Sequence, residues 1–168
     1  EIAARTGISR PAVAVHISNL MKKGVIAGRG YVLRASESVA VVGGVNVDIG
    51  GMPFGKLIPR DSNPGRIRIS LGGVGRNIAH NMSLLGLKVR LFTALGDDAN
   101  ARRIEASCQE LGIDLSHALR VPDEATSCYL YLNDERGEMA LALSDMEICE
   151  RISPDYLASH LAVLNHTA

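Results

Sequence analysis

No apolar run in the sequence approaches the ~20 residues of a membrane span. No signal peptide opens it. No membrane role is expected. Cysteine is sparse: Cys108, Cys128 and Cys149 stand far apart. That is neither a disulfide framework nor metal-ligand spacing, so buried, reduced thiols of a cytoplasmic protein are expected, and no metal. Net charge is absent too, with 18 basic residues against 18 acidic ones. The glycine-rich run at residues 72–75 lacks the G-x-G-x-x-G spacing of a dinucleotide site. No Gly-Lys-Ser/Thr follows it, as a Walker A loop requires.

The 168 residues suffice for one domain, or a small domain plus part of another. An apolar content of 46% is that of a globular chain rather than a disordered one. The balanced charge is unevenly placed. Residues 1–38 carry six basic residues (Arg5, Arg10, Lys22, Lys23, Arg29, Arg34) and two acidic ones, so the rest is acidic. A basic head on an acidic body suggests two modules, the head able to meet a polyanion.

The head, residues 1–35, reads helix, turn, helix, hairpin. Ile2 to Gly7 predicts a short helix closed by glycine. Ser9 suits an N-cap and Pro11 a first turn, so the next helix runs to about Lys23 and stops at Gly24. Val13, Ile17 and Leu20 form its expected buried stripe, with His16 packed beside it. Val25-Ile26 and Tyr31-Val32-Leu33 predict a small hairpin around Gly28 and Gly30. This order resembles a partial winged helix-turn-helix, with Ser9 to Ile17 similar to the start of a recognition helix. In DNA-binding members that helix enters the major groove. The resemblance makes Arg10 and Ser18 candidates for base or phosphate contact, and Lys22, Lys23 and Arg29 for phosphate. Use of the module for dimerisation or docking stays open.

After a polar link, residues 39–168 read as alternating strands and helices. Val39 to Val42 is a buried strand stopped by Gly43-Gly44. Asp48 follows in Val45-Asn46-Val47-Asp48, either as a solvated turn residue or at the strand end where open α/β sheets bind ligands. Ile49 to Met52 and the strictly alternating Arg66 to Ser70 predict a half-exposed β-lid. Gly72-Gly73-Val74-Gly75 then leads into a helix with Ile78, Met82 and Leu85 as its apolar stripe and Gly86 at its end. Such a loop delivers unpaired N–H groups to a polar ligand, or is only a tight strand-to-helix turn. Asn77 adds an amide that donates and accepts. Lys88 to Gly96 is the next strand, and Asp97-Asp98 caps a helix ending near Gly112. Residues 126–143 read as a hairpin around Asn133 to Gly137, with Thr126, Ser127 and Tyr129 as hydroxyls within reach of a ligand. Ser153-Pro154 opens a short helix, and Leu161 to Asn165 predicts a further strand.

Gly72-Gly73-x-Gly75-x-Asn77-x-Ala79, with Leu85-Gly86 and Gly96-Asp97-Asp98, resembles the N-terminal signature of the PfkB (ribokinase-like) carbohydrate kinases. Asp61 to Gly65 and the run from Gly72 to Asn81 are most similar to the pseudouridine kinase branch. The resemblance implies a ribokinase-like α/β sheet with flanking helices and a small β-lid. It implies ATP-dependent phosphorylation, with Mg²⁺, of a hydroxyl on a sugar or nucleoside. Asn46 and Asp48 would bind the sugar hydroxyls, with Gly72, Gly73 and Asn77 alongside. It also implies a homodimer at full length. The family's catalytic Gly-Ala-Gly-Asp has no counterpart in these residues. The expectation is therefore a chain truncated at both ends, without kinase activity of its own. A transcription regulator whose kinase-like body senses a sugar or nucleoside is the alternative.

Overall fold

The computed structural model describes residues 6–7, 9–27, 32–33 and 38–167. The chain forms two compact units, residues 1–37 and 38–168.

In the first unit, helix α1 spans Arg10–Lys22. The Ser9 side chain caps it by accepting from the Ala12 N–H at 3.3 Å. Gly24 follows the helix at φ +70°, a left-handed position that glycine takes without strain. Strands β1 (Ile26–Ala27) and β2 (Val32–Leu33) pair antiparallel as a minimal hairpin. Val13 and Ile17 are half-buried, but Leu20 and His16 are exposed, so His16 is not a packing residue and the stripe is narrower than its spacing suggests. Most of the expected first helix, and Arg29, lie outside the described residues.

The second unit is built on a parallel pair, β3 (Val39–Val42) and β6 (Val89–Phe92), joined in continuous register from Val39 opposite Val89 to Val42 opposite Phe92. The connection between them carries an excursion and a helix. The excursion is β4 (Asn46–Pro53) and β5 (Gly65–Gly72), antiparallel. The helix is α2 (Val74–Leu84). Beyond β6 lie β7 (Ala94–Leu95), α3 (Ala99–Glu110) and β8 (Leu119–Arg120), with β7 and β8 parallel. Strands β9 (Cys128–Asn133) and β10 (Met139–Asp145) form a hairpin that joins the excursion, giving a four-stranded sheet ordered β10-β9-β4-β5. Residues 49–52 do pair with 66–69, and Ser70 pairs with Asp48, in the sheet expected as the lid.

The core lies where the bases of these strands meet α2 and α3. Val41, Val47, Leu91, Ile104 and Cys108 are buried there. Apolar side chains at strand and helix periods bury together because each lone face would otherwise stay in water.

Several expectations change. Asp48 lies within β4 rather than in a turn, since the chain re-enters a strand at Asn46. Arg66 to Ser70 is exposed on both faces, because β5 is an edge strand reaching beyond the core. On α2, Ala79 is buried and Met82 half-buried, while Ile78 and Leu85 face out at 43% and 79% exposure. The stretch 88–96 breaks at buried Thr93, where pairing passes from β3 to β8. A 3₁₀ turn (Glu147–Arg151) leads to the short helices α4 (Pro154–Ser159) and α5 (Leu161–Leu164). The strand expected over 161–165 is therefore a short helix over 161–164, followed by a parallel bridge between Ser38 and Thr167.

Candidate functional site

Five elements converge where β4 leaves the core. Asn46 and Asp48 come from β4, Gly73 from the loop before α2, Asn77 from the first turn of α2, Tyr129 from β9, and Met146 and Cys149 from the 3₁₀ turn. With Gly44, Val45 and Val74 they line a cavity of about 570 Å³. Four of the five substrate residues expected from sequence meet in it.

Gly72, the fifth, acts from the side. A Cβ placed there would lie 2.2 Å from Asp48 Oδ2, so a side chain at residue 72 cannot coexist with the carboxylate's position. Gly73 has φ +93°, and its Cβ would meet the Gly44 carbonyl oxygen at 2.5 Å and Asn46 Oδ1 at 2.9 Å. Both glycines are thus required by what lies against them.

The buried Asn46 amide donates from Nδ2 to Asp48 Oδ1. That bond orients the carboxylate and commits one lone pair, leaving further acceptor capacity for a ligand's hydroxyl groups. Gly73 caps α2 with backbone alone, so no side chain masks the helix N-terminus beside Asn77. Asn77 is exposed, and its backbone carbonyl accepts from Asn81 Nδ2 at 2.8 Å.

Behind this loop sits Arg76, only 9% exposed, with no ion pair to any described carboxylate. Its Nη1 reaches Leu71 O, Asn77 Oδ1 and His80 Nδ1, each at 3.4 Å, while Nη2 donates to Ser107 Oγ at 2.9 Å. One guanidinium thereby links the end of β5, the first turns of α2 and helix α3. Sequence reading passed over it because charge usually marks a solvated face.

Asp98 caps α3, accepting from the N–H groups of Ala101 at 2.7 Å and Thr126 at 2.8 Å. Burial pushes its carboxyl up, but those backbone bonds outweigh it and hold the group below its ordinary range. Among the described residues no group of three or more His, Cys, Asp or Glu is arranged to hold a metal. Thr126 and Ser127 are buried: Thr126 Oγ1 accepts from the Gly96 N–H and Ser127 Oγ contacts Cys149 Sγ, so neither faces the cavity. Tyr129 does, opposite Asp48 in register.

Only Cys108 fits the buried-thiol expectation fully. Burial raises its pKa despite the nearby Arg76 charge. Cys128 and Cys149 are half-buried. Met146 and Cys149 carried no sequence signal, because a 3₁₀ turn about a hundred residues downstream of Asp48 brings them in.

In the first unit, Ser18 and Lys22 are exposed one helical turn apart on α1, and Lys23 is exposed just past it. Arg10 is the first residue of that helix. No helix among the described residues is long and apolar enough to cross a membrane.

Residues 1–27 match the winged helix-turn-helix DNA-binding family. Over 166 residues the chain is 40% identical to "Uncharacterized sugar kinase YeiI" of Escherichia coli K12, covering 99% of the chain and 46% of that protein. It is 41% identical over 128 residues to the pseudouridine kinase of the same organism, covering 76% of the chain and 41% of the relative. A putative sugar kinase from Clostridium perfringens superposes with a TM-score of 0.73 at 30% identity, over 79% of this chain and 42% of that one. The chain thus spans less than half the length of these relatives. Residues 36–159 match the pfkB family carbohydrate kinases, and the chain belongs to that family.

Proposed function

We propose that this chain is the acceptor-holding part of an ATP-dependent kinase that phosphorylates a hydroxyl of a sugar or nucleoside, pseudouridine being the first candidate. The observation that carries this reading is the meeting of Asp48, Asn46, Gly73 and Asn77 in one cavity, with Gly72 shaped around the carboxylate. In this reading Asp48 accepts from two neighbouring sugar hydroxyls, Asn46 holds it in place, and Asn77 adds an amide contact. ATP with Mg²⁺ would supply the phosphoryl group. The family's Gly-Ala-Gly-Asp base motif does not occur in these residues, so the 168-residue chain is expected to bind without transferring. The acidic body and free thiols suit a cytoplasmic setting. A homodimer would cover the exposed Ile67, Ile69, Leu141 and Leu143 of the lid.

The first unit favours a second role. The exposed Ser18, Lys22 and Lys23 on a winged helix-turn-helix match suit DNA binding, as in a regulator that senses the same ligand.

A thermal-shift series with pseudouridine, uridine, ribose and fructose tests the main reading. A selective rise with a ribosyl compound, lost in Asp48→Ala, is expected. Shifts that persist unchanged in Asp48→Ala would overturn the assignment.

A further inference from the structure

Arg76 is a buried cation with no counter-charge among the described residues. It is 9% exposed, and no ion pair there includes it. Its Nε has no hydrogen-bond partner. Taking a charge out of water is costly unless its surroundings compensate. An apolar side chain of similar length would fill the same space without that cost. What a guanidinium adds is a rigid, planar set of donors.

Those donors reach three elements. Nη1 meets Leu71 O near the end of β5, and Asn77 Oδ1 and His80 Nδ1 on α2, each at 3.4 Å. Nη2 donates to Ser107 Oγ on α3 at 2.9 Å. The buried Cys108 thiol is close enough to feel the charge. The short bond to Ser107 anchors the group on α3, which sets where its other end stands. A guanidinium offers no acceptor. The Asn77 atom facing it is therefore the carbonyl oxygen, because an amide nitrogen there would set donor against donor beside a positive charge. That choice fixes the other end of the amide. Asn77 Nδ2 has no partner among the described residues, and Asn77 lines the cavity with Asp48. Two amide donors are left for that cavity, alongside the acceptor oxygens of Asp48. A hydroxyl that gives its proton to Asp48 can accept from Nδ2 with a lone pair.

We propose that Arg76 is a positioning residue: it holds the Asn77 amide by its carbonyl oxygen, so that Asn77 presents donors rather than an acceptor to the ligand. The inference rests on the reading of Asp48 as the sugar-binding carboxylate and names the residue that sets the polarity of Asn77 beside it.

Two double-mutant cycles test it. The first is thermal unfolding without ligand. Asn77→Asp places a carboxylate against the unpaired guanidinium, whereas with Arg76→Met that carboxylate meets only the like charge of Asp48. Asn77→Asp is expected to shift the melting temperature about 2–4 °C further upward with Arg76 present than with Arg76→Met. The second cycle is calorimetric titration with pseudouridine. Asn77→Asp is expected to bind at least about tenfold more weakly, because its donors are gone. Arg76→Met is expected to weaken binding about fivefold alone, and less than about twofold in an Asn77→Ala background, since its effect passes through Asn77. Equal losses in the two backgrounds are what a purely structural arginine gives, and they overturn the proposal. So does an Asn77→Asp melting shift that is the same without Arg76, or an Asn77→Asp chain that binds as tightly as the unmodified one. With binding still abolished by Asp48→Ala, these outcomes leave the Asp48 reading in place. Binding that survives Asp48→Ala, or no binding of pseudouridine to the unmodified chain, overturns the Asp48 reading and this inference with it.

Discussion

The carboxylate of Asp48 stands in the space that a side chain at residue 72 would need: Oδ2 lies 2.2 Å from an ideal Cβ on Gly72. The two residues face each other near the base of antiparallel β4 and β5, where Asn46 pairs with Gly72 and Asp48 with Ser70. Gly72→Ala is therefore expected to push the carboxylate aside while the strand pairing persists. Ligand affinity should fall at least tenfold, about 1.4 kcal/mol, with a smaller loss of thermal stability. Calorimetry beside thermal unfolding separates the two. Unchanged affinity would show that the carboxylate does not touch the ligand.

Arg76 offers a test of how the motif loop is held. Arg76→Ala removes the donors to Leu71 O and Ser107 Oγ and opens a void in a packed region. A loss of about 2–4 kcal/mol is expected, measured by denaturant unfolding. A loss below about 0.5 kcal/mol, the level of an ordinary surface change, would contradict the burial of this guanidinium.

Asp98 links pH to stability. Its folded-state pKa is depressed, so its contribution is complete above the unfolded pKa and disappears as pH falls through the folded one. Asp98→Ala is expected to cost about 1 kcal/mol at neutral pH, as loss of a helix cap does. Below about pH 4, the ordinary carboxylate range, wild type should lose stability faster than the variant, so the two melting temperatures converge. Parallel acid profiles would contradict the assignment.

The three thiols should react in a definite order. Cys149 lines the cavity, Cys128 is half-buried and raised by burial and by the Asp145 and Asp48 charges, and Cys108 is buried. Alkylation followed by mass spectrometry is expected to modify Cys149 first and Cys108 only on unfolding. A bound nucleoside should protect Cys149. Early modification of Cys108 would refute the described packing.

If the first unit binds DNA, Lys22→Ala with Lys23→Ala should weaken binding to all sequences alike. The slope of log K against log salt should fall by about 2, near 0.9 for each phosphate no longer neutralised. Fluorescence polarisation across a salt series measures it. An unchanged slope would remove these lysines from any phosphate interface.

Local signals survived folding where local chemistry decides them. Ser9, Asp98 and Ser153 cap their helices as expected, because a short side chain reaching its own first turn needs no distant partner. Gly24, Gly86 and Gly112 follow helices at positive φ, where other residues would be strained. The run from Gly72 to Asn77 marked the family and lies at the candidate site, since close backbone approach leaves glycine little alternative.

Burial was another matter. Ile78 and Leu85 have helical spacing yet face out, because spacing defines a stripe without saying which stripe the sheet covers. The alternation from Arg66 to Ser70 gave the strand but not its exposure, which follows from its edge position in a lid reaching beyond the core. Residues 161–165 are apolar enough for a strand and lie in a short helix, since a short apolar run carries no period of its own.

By itself, then, the order of residues determined the family, the caps and the glycine loop, and made Asp48 a candidate, all written in short windows of chain. Tertiary structure alone decided that Cys149 and Met146 join the cavity, that Arg76 is buried, and that Tyr129 stands opposite Asp48. Each of these depends on strand order and register, and parallel pairing of β4 with β9 brings together residues some eighty positions apart.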